Sequence, residues 1–257
     1  MSAPLPNFSI DLSGHVALVT GASSGLGARF ARVLAAAGAA VAVTARRKDR
    51  LDALVAEIRA NGGTAEAFAL DVTDAAQLEA IVPAIAQSLG TVDILVNNAG
   101  IPDAQWAVKM SIDLIDRVIA TNLRAPFILS REVAKALIAQ NKPGRIVNIS
   151  SMAAFDYKGN ASALYSTTKA GVARMAEALS VEWAGRNINV NAIAPGAFNS
   201  EMMDGMLQRM GDITGGYPRK RLGREDQLDS TLLYLVSPAS ECVTGTVIKV
   251  DDGQHYK

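Results

Sequence analysis

The stretch His15-Val16-Ala17-Leu18-Val19-Thr20-Gly21-Ala22-Ser23-Ser24-Gly25-Leu26-Gly27-Ala28-Arg29-Phe30-Ala31 decides the fold. Its first residues, His15 to Thr20, form a short apolar run that reads as a buried strand. Gly25 to Ala37 is rich in alanine, is closed by Gly38, and reads as a helix. Between them, Gly21, Gly25 and Gly27 allow a tight turn and a close approach of main chain to a pyrophosphate. The helix that follows presents free N–H groups and the positive end of its dipole to such an anion. The spacing is Gly-x-x-x-Gly-x-Gly rather than the more familiar Gly-x-Gly-x-x-Gly.

Outward from this turn, strands and helices alternate. Strands are expected at Ala40 to Ala45, Thr64 to Leu70, Val92 to Val96, Arg145 to Ile149, Asn187 to Ile193 and Thr246 to Val250. Helices are expected at Arg47 to Ala60, Ala75 to Leu89, about Asp113 to Gln140, and Ala163 to Ala184. Continuous Val/Ile/Leu strands separated by helices predict an α/β fold: a Rossmann-type doubly wound parallel sheet of about seven strands, with helices on both faces. No Pro/Gly/Ser-rich linker divides the 257 residues. They read as one dinucleotide-binding and catalytic domain, with a short N-terminal extension (1–11). Residues 197–224, rich in Gly, Met and Pro, read as a mobile lid over a pocket.

Composition narrows the function. The chain has 25 basic and 25 acidic residues and no basic stripe, which speaks against nucleic acid and anionic membrane as partners. The single Cys242 forms no intrachain disulfide, and the first residues lack the basic and apolar regions of a signal peptide, so a cytoplasmic location is expected. No apolar run is long enough to span a bilayer. Two histidines and one cysteine make a metal site improbable.

Tyr165 and Lys169 lie four apart in a predicted helix and therefore on one face. An adjacent ammonium favours phenolate, so the pair reads as a general acid/base with the lysine lowering the tyrosine pKa. The Gly-rich turn also matches Gly-x-Ser-x-Gly, the hydrolase nucleophile elbow, with Ser23 as nucleophile and Asp251 or Asp252 and His255 as partners. Against that reading, the turn follows the first strand, so no earlier strand–helix loop exists to complete an oxyanion hole, and His255 lies three residues from the C-terminus.

Further residues stand in a telling order: Asp71-Val72 after the third strand, Asn97-Asn98-Ala99-Gly100, Asn122, Ser151, Tyr165-x-x-x-Lys169 and Pro195-Gly196. With the Gly21/Gly25/Gly27 turn, these motifs make the chain resemble the short-chain dehydrogenase/reductase family from Leu12 to Gly253. The resemblance implies that Tyr165 protonates a carbonyl oxygen or deprotonates an alcohol. It implies that Lys169 tunes Tyr165 and bonds the nicotinamide ribose, that Ser151 polarises the substrate oxygen, and that Asn122 fixes a water in a proton relay. Asp71 and Val72 would contact the adenine. Asn98, Ala99 and Gly100 would line the cofactor cleft with Gly21, Ser23, Ser24, Gly25, Leu26 and Gly27. Pro195, Gly196 and Ser200 would flank the nicotinamide. Taken singly, Asn122 also reads as an ordinary helix residue, Asp71 as a helix cap, and Ser150/Ser151 as a strand-end pair.

From Ser151 to Tyr165 there are fourteen steps where thirteen are usual in the family, which predicts a one-residue insertion within Ala154–Ala161 and leaves Ser150 as the alternative to Ser151. The second serine of the pair is the usual one, which selects Ser151. The second strand ends at Ala45, followed by Arg46 and Arg47 rather than by a carboxylate. Arg46 would hold a 2′-phosphate by charge-assisted bonds, so NADP(H) is expected over NAD(H), with NAD(H) possible. The substrate pocket is expected to include Ser151, Met152, Ala153, Tyr157, Phe198, Met202, Met203 and Met206, with Ile101, Pro102 and Trp106 as a further wall. A neutral, apolar ketone or secondary alcohol is the expected substrate. The alternative is a 3-oxoacyl thioester on acyl carrier protein, docked by Lys142, Arg145, Arg186, Arg219, Lys220 and Arg221. By the same resemblance a homo-oligomer, tetramer or dimer, is expected.

Overall fold

Runs of Val, Ile, Leu and Ala pair into one parallel sheet in the computed structural model, which describes residues 10–157, 159 and 161–255. Most of the expected N-terminal extension (1–9), Lys158 and Asn160 of the Ser151–Tyr165 loop, and Tyr256 and Lys257 lie outside the described residues. Along the chain come β1 (Val16–Thr20), α1 (Gly25–Ala36), β2 (Ala40–Ala45), α2 (Lys48–Ala60), β3 (Thr64–Ala69), α3 (Ala75–Ser88), β4 (Ile94–Asn97) and α4 (Ile112–Ile119). They are followed by α5 (Ala125–Ala139), β5 (Gly144–Ile149), α6 (Ala163–Trp183), β6 (Ile188–Pro195), α7 (Glu201–Met210), α8 (Asp229–Val236) and β7 (Val247–Val250).

The seven strands run in the order β3-β2-β1-β4-β5-β6-β7. In register, Val16 to Thr20 pair with Ala40 to Thr44 on one side, and Ala17 to Val19 pair with Ile94 to Val96 on the other. Both faces are covered. Ala17 and Val19 join a core with Phe30 and Leu34 of α1, Leu51 and Ile58 of α2, and Leu232 and Leu235 of α8. Val16 and Leu18 join the opposite core with Leu78 and Ile85 of α3, Val133 and Leu137 of α5, and Val172 and Leu179 of α6. Alternate side chains of one strand thus serve two layers, which is why the strand reads as unbroken hydrophobic sequence. The fold is a Rossmann-type doubly wound sheet. Its strand order reverses between β1 and β4, and a crevice opens at the carboxyl ends of those strands, the place where such sheets take ligands.

Three segments differ from the sequence reading. The long helix expected from about Asp113 is continuous but contains a π turn over Ala120–Arg124, carrying Asn122. Pro126 has no N–H to give the carbonyl of Asn122, so the α-helical ladder is interrupted there. Residues 197–224 hold a ten-residue helix, α7, where a broken pattern was expected. The Ser200 hydroxyl caps it by accepting from Met203 N, and Glu201 and Asp204 complement its dipole. Its base is pinned: Asn199 N donates to Gly223 O and Gly223 N to Ala197 O, both at 2.9 Å. Helix α8 was not foreseen, although Leu228, Leu232, Leu235 and Val236 have helical spacing and are all buried.

Candidate active site

The Gly-rich turn and the end of β4 are built against each other. Gly21 has φ +67°, and a Cβ there would stand 2.9 Å from Ala99 Cα, so only glycine fits. A Cβ on Gly27 would collide with the Gly21 carbonyl, so the start of α1 packs directly on the turn. The Thr20 hydroxyl accepts from Asn98 N and Ala99 N, each at 3.0 Å, and Asn98 Nδ2 donates back to Thr20 O at 3.0 Å. This lattice holds the crevice open with main-chain atoms on both walls.

Arg47 reaches the turn from the end of β2. Its guanidinium donates to Ser23 Oγ (2.9 Å) and Ser24 Oγ (3.0 Å) and pairs with Glu201 at 3.0 Å. Glu201 also accepts from Arg50 and from the Ser24 hydroxyl (3.0 Å), and these partners, Arg47 foremost, hold its carboxyl down to about 2. Arg46, expected to be the phosphate ligand, is exposed, and its charge acts on Asp71. The arginine in contact with the turn is therefore Arg47. Asp71 is held low chiefly by hydrogen bonds from the Thr73 main chain and hydroxyl (2.9 and 2.8 Å), with Arg46 adding to them; Val72 follows it, half-buried.

Across the crevice stand Tyr165 and Lys169 on α6. The Lys169 ammonium lies 5.7 Å from the Tyr165 ring centroid, so the two share one helix face as their spacing requires. Burial pushes the phenol up; a hydrogen bond from Ser151 pulls it down, and the charge of Asp103 pushes it up again. Among these causes the one that acts downward is Ser151. Lys169 donates to Ile149 O at 2.7 Å, and burial brings its own pKa down to about 8. A Cβ on Gly100 would lie 3.4 Å from Lys169 Nζ and 3.5 Å from Asn122 Oδ1, so Gly100 leaves these groups their space.

The two serines separate clearly. Ser150 is buried and donates to Lys169 O at 2.8 Å. Ser151 is half-buried, its hydroxyl accepts from Ala153 N at 3.1 Å, and it acts to lower the Tyr165 pKa. Asn122 is buried with its side chain committed: Oδ1 accepts from Ile101 N (2.9 Å), and Nδ2 donates to Ile101 O (2.9 Å) and Thr168 Oγ1 (3.3 Å). Its amide is therefore spent on the loop after β4 and not left for a water.

The remaining site residues divide. Gly196 follows Pro195, the buried end of β6; a Cβ on Gly196 would stand 2.9 Å from Asp251 Cα, so the C-terminal segment lies directly against it. Gln254 fastens the same place, accepting from Ala197 N at 2.6 Å and donating to Ala197 O at 3.1 Å. Ser200 sits 3.4 Å from the Cβ position of Gly25, which links α7 to the phosphate turn. Of the expected pocket residues, Met152 and Phe198 are buried; Phe198 belongs to the core and its ring lies over Gly223. Ala153, Met203 and Met206 are half-buried, and Tyr157 and Met202 are exposed. Ser23 is bonded to Arg47, and His255 Nδ1 lies 3.3 Å from Asp251, so the elbow serine has an arginine and not a histidine as partner.

Two site residues escaped the sequence reading. Asp103 accepts hydrogen bonds from the first turn of α6, and Glu201 bridges α7 to Arg47 and Arg50. The only sequence signal for Glu201 was its place just after a capping serine; Asp103 had none.

With this geometry in view, the similarities to known proteins are consistent. A family model described as short chain dehydrogenase matches residues 15–210. A 3-oxoacyl-(acyl-carrier-protein) reductase of Thermotoga maritima is 36% identical over 243 residues, covering 94% of this chain and 98% of that protein. A solved short-chain type dehydrogenase/reductase from Mycobacterium marinum has a TM-score of 0.92 at 34% identity, covering 96% of this chain and 98% of that one. A single-residue variant of actinorhodin polyketide ketoreductase, solved with NADPH, has a TM-score of 0.89 at 33% identity, covering 93% of this chain and 97% of that one. The chain belongs to the short-chain dehydrogenase/reductase family of oxidoreductases.

Proposed function

We propose that the protein transfers a hydride between NADP(H) and a ketone or secondary alcohol, with Tyr165 as general acid/base. The observation that carries this reading is the buried Lys169 ammonium 5.7 Å from the Tyr165 ring on one face of α6, in a fold whose first strand leads through a Gly-rich turn into α1. The residues present fit a nicotinamide dinucleotide: Gly21 and Gly25 bare the main chain, α1 offers its N-terminus, and Arg47 offers cationic donors beside Ser23 and Ser24. When bound, such a cofactor supplies or accepts the hydride. In reduction Tyr165 gives its phenolic proton to the carbonyl oxygen, and in oxidation it takes the proton back. Ser151 donates to the same oxygen as negative charge grows on it. Lys169, with a pKa near 8, is still protonated at neutral pH and close enough to its titration to return a proton to the phenol. With its amide committed to Ile101, Asn122 serves a water relay through its main-chain carbonyl. The site gathers residues from 21 to 254 around one sheet, which supports reading the chain as one catalytic domain.

NADP(H) is favoured because β2 ends on Ala45-Arg46-Arg47 with no carboxylate to repel a 2′-phosphate, and a neighbour in structure holds NADPH. A free ketone is favoured over a carrier-bound thioester. Arg219 and Arg221 both pair with Asp252 at 2.8 Å, Lys142 donates to Thr91, and Lys220 donates to Gly215 O, so most of the expected docking cations are already engaged. The carrier reading is kept as the alternative by the relative from Thermotoga maritima.

Replacing Tyr165 by Phe tests the central claim. Turnover of NADPH with a ketone panel, followed at 340 nm, is expected to fall about 10²- to 10⁴-fold. Undiminished turnover would overturn the assignment.

A further inference from the structure

We propose that Asp103 is a positioning residue for this reaction: its buried carboxylate, carried by the loop after β4, holds the first turn of α6 and so sets where the Tyr165 phenol stands. The inference rests on the proposed role of Tyr165. Asp103 is 5% exposed. Its Oδ2 accepts from Leu164 N at 2.9 Å and from Tyr165 N at 3.0 Å, and its Oδ1 accepts from Ala104 N at 2.8 Å. First-turn N–H groups lack acceptors within their own helix, and a capping side chain ordinarily comes from the residue just before it. Here the acceptor stands 61 and 62 positions earlier in the chain. An anion at this end is also favoured by the helix dipole.

The loop that presents Asp103 is fixed at its other end. Ile101 is bonded through both N–H and C=O to the Asn122 amide, and Asn122 bonds Thr168, whose hydroxyl donates to Tyr165 O at 2.8 Å. Asn122, Ile101, Asp103, Tyr165 and Thr168 therefore close a ring. Three residues beyond Ile101, the chain turns through Ala104 at φ +49°, a conformation costly for a residue with a Cβ. The Ala104 N–H bond to Asp103 holds that turn. A strained turn kept on a buried carboxylate, aimed at the helix that carries Tyr165, is the arrangement of a clamp.

The clamp is charged, and the charge opposes ionisation of Tyr165. The groups acting on this phenol are Ser151 from the loop after β5 and Asp103 from the loop after β4, and Lys169 stands on the same face of α6. An amide at position 103 keeps an oxygen that accepts from the helix while removing the charge. Two variants therefore separate geometry from charge. Asp103→Asn is expected to keep kcat within about threefold of wild type and to move the kcat/KM profile for alcohol oxidation to lower pH, because a phenol freed of a nearby anion ionises more easily. Asp103→Ala is expected to lose kcat at least about tenfold with little change in KM for NADPH, because a displaced acid/base misses the reacting oxygen. A readout independent of turnover is the tyrosinate absorbance of Tyr165, taken as the difference between wild type and Tyr165→Phe, which is expected to rise at lower pH on the Asp103→Asn background. An unmoved titration in Asp103→Asn, or full kcat in Asp103→Ala, would refute the clamp. If wild-type protein turned over no ketone or alcohol with NADP(H), the oxidoreductase reading alone would fall, and the titration would still decide the place of Asp103.

Discussion

Just after β5, Ser150 turns its hydroxyl to the Lys169 carbonyl, whereas Ser151 acts to lower the Tyr165 pKa. One peptide unit separates a packing serine from the one proposed to hold the substrate oxygen. Ser151→Ala is expected to cut kcat about 10²- to 10³-fold, as removal of an oxyanion donor does. Ser150→Ala is expected to cost about 1–2 kcal/mol of stability and far less activity. Steady-state kinetics and thermal unfolding of the two variants check this, and the reverse ranking would reassign the roles. Lys169 makes a second residue-scale prediction. Burial lowers its pKa from 10.5 to about 8, so the folded chain binds this proton less tightly than the unfolded chain does. Between pH 8 and 10.5 the unfolded state holds more protons at this site, and its contribution to stability therefore rises with pH. At neutral pH the buried charge costs about 3 kcal/mol. Lys169→Met is expected to be inactive yet more stable than wild type near pH 7, with the advantage shrinking as pH approaches 10. Parallel melting curves at both pH values would detect a missing advantage.

Helix α7 is the element whose placement most affects the cofactor side. Ser200 caps it and touches Gly25, and Glu201 ties it to Arg47, Arg50 and Ser24. The carboxylate thus holds the same guanidinium that the proposed function assigns to an anionic cofactor. Exposed ion pairs of this kind are weak, so the expected effect is modest. Glu201→Gln is expected to tighten NADPH binding about two- to fivefold and to leave NADH nearly unchanged, as read by fluorescence titration of the two dinucleotides. An equal change for both would show that Glu201 acts on the lid and not on Arg47. The π turn in the helix ahead of α5 belongs to this scale as well. Pro126 breaks the ladder at Asn122, and the Asn122 side chain uses the distortion to grip Ile101.

On the scale of the whole molecule, one face remains apolar. Ile119, Leu123, Phe127, Ile128, Met175 and Leu179 line a groove between α5 and α6, and Val181 nearby is 80% exposed. Contiguous apolar surface of this kind marks an association site. The family resemblance implies a homo-oligomer, and a second copy of the chain is the occupant expected here. Phe127→Glu is expected to reduce the species seen by light scattering to a monomer with an unchanged circular dichroism spectrum. A wild-type chain that is already monomeric would remove the proposal. Among the described residues no helix is long and apolar enough to cross a membrane.

Alternating strand and helix patterns, the Gly21/Gly25/Gly27 turn and the spacing of Tyr165 and Lys169 were legible in the sequence, because each depends on residues adjacent in the chain or one helical turn apart. From them followed the doubly wound sheet and the shared face of Tyr165 and Lys169. Tertiary structure alone decided that Ser150 bonds the Lys169 carbonyl, that Arg47 and not Arg46 touches the Gly-rich turn, that Met152 and Phe198 are buried, and that Asp103 reaches Tyr165 and Glu201 reaches Arg47. Those contacts join residues as far as 154 positions apart, and neither hydrophobic period nor turn chemistry records which distant partner a side chain will find once two layers close on one sheet.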